Sequence, residues 1–108
     1  MWDLRYHPAA KAEEDALPPR EQLAMANVIN KLRVVGPGLG YPHQSAVRGS
    51  TVRELRPRGG RSPWRAFYRR IGDVFVVGAI GPEAEANPRG FLKAVRLAES
   101  RLHDSEQE

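Results

Sequence analysis

The chain has no cysteine among its 108 residues. That excludes disulfides, thiol nucleophiles and the common zinc-finger arrangements, and it suits a reducing compartment. Long apolar runs are also missing: nothing approaches the roughly 18 residues that a membrane span needs, and the short charged start, Met1 to His7, lacks the make-up of an export signal. The expectation is a soluble, cytoplasmic protein with no membrane contact. Acidic residues are scarce in one stretch. Between Arg48 and Arg70 stand Arg48, Arg53, Arg56, Arg58, Arg61, Arg65, Arg69 and Arg70 against the single acid Glu54, a local charge of +7 in a chain whose total is +4, so the remainder carries −3.

What is present describes one small domain. The length suits a single core, and 41% hydrophobic with 28% charged residues is globular composition. The domain is expected to span residues 1–103, with a frayed polar tail over 104–108.

Trp2, Leu4 and Tyr6 alternate with polar residues, which predicts a half-buried strand ending at Pro8. Helix formers follow over 9–17 until Pro18-Pro19 stops them and opens a second helix over 19–35, where Leu23, Ala26, Val28, Ile29, Leu32 and Val35 recur at near-helical spacing. Gly36-Pro37-Gly38-Leu39-Gly40 has no strand before it and no Gly-Lys-Ser/Thr after it, so it reads as a helix cap and connector and not as a phosphate loop. The stretch on to Ser50 reads as loop.

Residues 51–56 then read as a strand, 57–63 as a breaker-rich turn, 64–71 as a strand, Gly72-Asp73 as a tight turn and 74–80 as a buried strand. A linker ending in Pro88 leads to a helix over 89–103 with Phe91, Leu92, Val95, Ala98 and Leu102 on one side. The order β-α-α-β-β-β-α predicts an α+β fold: a small antiparallel sheet with helices on one face and the other face concave and open.

A basic patch on an otherwise acidic chain is a localised field for a polyanion. All eight of its cations are arginines, whose planar guanidinium makes bidentate phosphate contacts and stacks on bases.

In their order, these elements resemble the RelE/HigB superfamily of toxins from type II toxin–antitoxin pairs, especially its phage-associated HigB-like branch. The likeness rests on Glu54-Leu55-Arg56 after the helical pair, on Trp64-Arg65-Ala66-Phe67-Tyr68, similar to the family's Arg-x-x-Tyr strand, and on the closing helix with Ala94, Ala98 and Arg101. It implies a metal-independent, ribosome-dependent endoribonuclease, without cofactors, that cuts mRNA in the A site and is silenced by a cognate antitoxin of helix-turn-helix type. The site it implies contains Arg56 and Arg65 as a phosphate clamp and Tyr68 as the family tyrosine. Arg53, Arg58, Arg61, Arg69, Trp64 and Lys93 would bind RNA around it, Trp64 as a stacking surface. Strand alternation sets Arg65 and Tyr68, three apart, on opposite faces unless a bulge intervenes. One departure stands out. Where many relatives carry Phe-x-Lys-Lys, this chain has Ile80-Gly81-Pro82-Glu83. The missing lysines keep two other readings open, a ParE-like inhibitor of DNA gyrase and a non-catalytic module that binds RNA or protein.

Other candidates carry less. His43 is a possible general base in the loop before the basic strands. His7 and His103 have no metal-ligand spacing, Glu83 and Glu85 suit a solvated linker, and Asp3 and Glu54 are candidates for ion pairs that position arginines.

Overall fold

The computed structural model describes residues 1–107, with side chains through His103. Five strands, β1 (Asp3–Tyr6), β2 (Gln44–Ala46), β3 (Arg53–Leu55), β4 (Trp64–Ile71) and β5 (Val74–Pro82), form one sheet in the order β1-β5-β4-β3-β2. Three helices, α1 (Pro8–Asp15), α2 (Pro19–Val35) and α3 (Pro88–Gln107), complete the expected α+β fold. Three strand pairs are antiparallel, while β1 runs parallel to β5 with Leu4 opposite Phe75.

Local chemistry sets the element boundaries. The His7 ring caps α1, its Nδ1 accepting the Ala9 N–H at 3.1 Å, and Pro8 supplies the first turn. Gly36, at φ 77°, ends α2 by donating its N–H to Leu32 O.

The helices lie on both faces of the sheet, which corrects the expectation of helices on one face with the other open. Under α1 and α2, Ala10, Met25, Val28, Ile29 and Leu32 pack with Leu55, Ala66, Tyr68, Phe75 and Val77. Under α3, Ala94, Val95, Ala98 and Leu102 pack with Phe67 and Ala79. The reason is the apolar character of β4 and β5 on both sides: a strand that is greasy on each face needs two covers.

The register passes from Phe67 opposite Ala79 to Tyr68 opposite Val77, which makes Gly78 an extra residue of β5. The bulge is therefore on β5, and β4 keeps simple alternation. Beyond the end of β1 the open edge of β5 is closed by an α1–α3 ion pair. Arg101 Nη2 meets Glu13 Oε2 at 3.0 Å, Arg101 Nη1 donates to Gly78 O at 2.9 Å, and Ile80 N–H donates to Glu13 Oε1 at 3.0 Å. Near the start of α3 the backbones approach closely: a Cβ on Gly81 would lie 2.4 Å from that of Ala94.

Further differences from the sequence reading are local. Residues 44–46, read as loop, form the edge strand β2; the strand expected over 51–56 is paired only over Arg53–Leu55; and α3 continues to Gln107 through most of the tail expected to fray. The remainder of that tail lies outside the described residues.

Candidate functional site

Leu55 points into the core under α1 and α2, so its neighbours Glu54 and Arg56 project from the other face of β3, beside Arg65 of β4. Glu54 is the hub. Its Oε1 accepts from Arg56 Nη1 at 3.0 Å and from Ser45 Oγ at 3.2 Å, and stands 3.6 Å from Arg65 Nε, an ion contact too long for a hydrogen bond.

Arg56 is held in a fixed pose. Its Nε donates to Pro42 O at 3.1 Å, and its guanidinium lies 5.1 Å from the centre of the Tyr41 ring. Nη2 lies against Gly60, where a Cβ would come within 2.4 Å, so only glycine leaves room for the guanidinium. The side chain remains 18% exposed. Tyr41 itself is 74% exposed and presents an open aromatic surface next to Arg56.

Arg65 is placed differently. At 3% exposure it is buried, with Nη1 donating to Ser62 O at 2.7 Å and Trp64 O at 2.9 Å, and Nη2 to Gly60 O at 3.2 Å. Burial pulls its pKa below the ordinary arginine value and the charge of Arg56 adds to this, while Glu54 and Glu83 oppose it. Its two Nη groups are spent on the turn between β3 and β4, and its buried Nε has no hydrogen-bond partner, so it supports the site from below and does not face solvent. Glu83, one of the positions where relatives carry lysine, reaches 4.0 Å from Arg65 Nη2.

Tyr68 is on the opposite face. It packs edge-on against Phe75 with ring centres 5.9 Å apart, and burial raises the pKa of its hydroxyl, with Arg53 acting the other way. The structure therefore joins Arg56 to Arg65 but separates both from Tyr68.

The remaining sequence candidates are spread around this core. Arg53 is exposed and donates to Gln44 Oε1 at 2.7 Å. Arg58 Nη1 reaches both carboxylate oxygens of Glu21, at 2.8 and 2.9 Å, and exposed Arg61 donates to Arg58 O at 3.0 Å. Arg69 Nη2 donates to Thr51 Oγ1 at 2.6 Å. Trp64, half-buried beside the α1/α2 core, and Lys93 of α3 line a separate open pocket of about 350 Å³. Asp3 pairs with Arg5 at 3.3 Å. Among the described residues, no three His, Asp or Glu side chains gather as metal ligands, and no helix is long and apolar enough to cross a membrane. Sequence reasoning missed Tyr41; its signal was an aromatic set between Gly40 and Pro42, where burial is hard to arrange.

This architecture is similar to that of proteins from toxin–antitoxin systems. It matches the toxin–antitoxin complex RelBE2 from Mycobacterium tuberculosis with a TM-score of 0.58 and 17% identity, over 76% of this chain and 98% of that one. YafQ from E. coli matches with a TM-score of 0.55 and 12% identity, over 81% of this chain and 99% of that one. A chain of the chromosomal ParDE toxin–antitoxin system from P. aeruginosa matches at 0.50 and 24% identity, over 76% and 96%. At these identities the likeness is one of fold. The chain belongs to the family of phage-derived Gp49-like proteins, whose family model matches residues 12–78, from α1 into β5. No match was found among curated proteins.

Proposed function

We propose that this chain is the toxin of a toxin–antitoxin pair and that it cleaves mRNA on the ribosome, without a metal, using Arg56 against the scissile phosphate. The observation that carries this reading is the pose of Arg56: fixed by Glu54 and the Pro42 carbonyl, backed by an open tyrosine ring, and still accessible. In such cleavage the ribose 2′-OH gives up its proton and attacks the adjacent phosphorus, the P–O5′ bond breaks to leave a 2′,3′-cyclic phosphate, and the departing 5′-oxygen takes up a proton. The extra negative charge on the way is stabilised best by a donor that is already in place. Arg65 is a positioning residue here, fastening the Gly60–Trp64 turn and Glu54 beneath Arg56. The Tyr41 ring would stack on a base, and its hydroxyl can exchange a proton with the 2′-OH. Arg53, Arg61 and Lys93, all exposed, would add phosphate contacts. Tyr68, buried on the far face, would act in the core.

An antitoxin of helix-turn-helix type, laying an acidic segment over the basic face, would silence the protein by competing for the same arginines. The toxin–antitoxin systems among the structural neighbours support that partner. The burial of Tyr68 favours a second reading, a ParE-like inhibitor of DNA gyrase that cuts nothing. Parallel assays separate the two: cleaved message with normal supercoiling supports the nuclease, whereas intact message with inhibited purified gyrase selects the alternative.

A further inference from the structure

On the other side of the Pro57–Gly60 turn, α2 and the loop before β2 enclose a pocket of about 240 Å³. Arg20, Asn27 and Lys31 reach it from one face of α2, at spacings of seven and four residues, and His43 and Arg58 close it from the loop side. Its chemistry is one-sided, because no carboxylate lines it. Glu21, the nearest acid in sequence, is spent on Arg58 at 2.8 Å and on Ser62 Oγ at 2.7 Å. Arg58 is thereby held in place, while no side-chain hydrogen bond or close ion pair ties down Arg20 or Lys31 among the described residues; the charge of Arg20 acts on Glu21 only through space. Exposed Leu23 adds an apolar wall suited to a sugar or base edge.

The pocket is mechanically tied to the arginine cluster. The His43 carbonyl accepts the Arg56 N–H at 2.8 Å, so one backbone bond joins the two sites across the end of β3. Two cations free of hydrogen bonds, an oriented arginine, an amide and an imidazole around a concavity make a receptor for a tetrahedral anion with several acceptor oxygens.

We propose that this pocket binds a backbone phosphodiester of the RNA whose cleavage site lies at Arg56, so that the strand wraps the Pro57–Gly60 turn. The inference rests on the RNA-directed reading above. The test is fluorescence anisotropy of a labelled single-stranded RNA oligonucleotide over a series of salt concentrations. The double variant Arg20→Gln/Lys31→Gln should flatten the slope of log K against log salt by about 1.4, two contacts at roughly 0.7 each for a single strand. His43→Gln should weaken binding with little change of slope. Thermal unfolding should move little, since neither cation has a hydrogen bond to lose and Arg20 acts on Glu21 only through space. An unchanged slope in the double variant overturns the pocket while leaving Arg56 intact as the site. Unchanged RNA binding combined with lost binding of a polyglutamate probe overturns it in favour of an acidic protein segment. A wild-type chain that binds no RNA at low salt overturns the underlying reading as well.

Discussion

Arg65 and Tyr68, three residues apart on β4, lie on opposite faces of the sheet. The first is 3% exposed and fastened to the carbonyls of Gly60, Ser62 and Trp64; the second packs against Phe75 under α1 and α2. The bulge that could have brought them together is on β5, at Gly78, and leaves β4 alternating. The proposed chemistry therefore centres on Arg56, with Arg65 as its support.

Replacing Arg65 tests that division. Arg65→Ala removes three hydrogen bonds to the turn and leaves Arg56 as the one cation close to Glu54, which should cost about 3–5 kcal/mol in urea unfolding. Arg65→Lys should recover little, because an ammonium cannot span the three carbonyls. Arg56→Ala should cost only about 1 kcal/mol, since Glu54 keeps Arg65 and Ser45.

Tyr41 should matter for binding and not for folding. If a base stacks on its ring, Tyr41→Ala should weaken single-stranded RNA binding by about 1–3 kcal/mol, roughly 5- to 150-fold in Kd, and Tyr41→Phe should bind like the wild type. Equal losses in both variants would point to the hydroxyl instead. Fluorescence titration reads the difference.

Two tyrosines, the half-buried Tyr6 and the buried Tyr68, give the fold an alkaline limit. The pKa of Tyr6 is raised by burial and by its 2.9 Å hydrogen bond to Glu14, and that of Tyr68 by burial. Each raised value favours the protonated folded state. Their stabilisation is present below the ordinary tyrosine value of 10.0 and is lost as pH climbs above it toward the folded values. Urea midpoints should therefore fall above pH 10, and the double variant Tyr6→Phe/Tyr68→Phe should flatten that decline.

The contact between α3 and β5 is tight enough to be read by one methyl group. Gly81→Ala places a Cβ 2.4 Å from that of Ala94 and should destabilise by about 1–3 kcal/mol. Ala94→Gly in the same chain should restore part of the loss, despite glycine's cost of about 1 kcal/mol in a helix. Thermal melts of the single and double variants decide it.

Much of this fold is written locally. The Pro18-Pro19 break, the α2 periodicity and the apolar runs of β4 and β5 each declare their element, and the family likeness follows from their order. β2 is not legible, because Gln44-Ser45-Ala46 has no strand preference and becomes a strand only by pairing with β3, with Gln44 bonded to Arg53 and Ser45 to Glu54. The parallel partner of β1 is a choice made over some seventy residues of sequence. At the candidate site, the Glu54–Arg56 pair and the alternation of Arg65 with Tyr68 can be anticipated from spacing. The burial of Arg65 cannot, since it depends on three carbonyls that a turn happens to direct inward. The absent lysine pair is visible in sequence; that Glu83 leans on Arg65 in its place is visible only in three dimensions.

The most direct test is a toeprint on translating ribosomes with the purified chain, its Arg56→Ala variant and Tyr68→Phe. New mRNA ends at the A site with wild type and Tyr68→Phe, absent with Arg56→Ala, are the expected result; intact message at saturating wild-type protein would contradict the account.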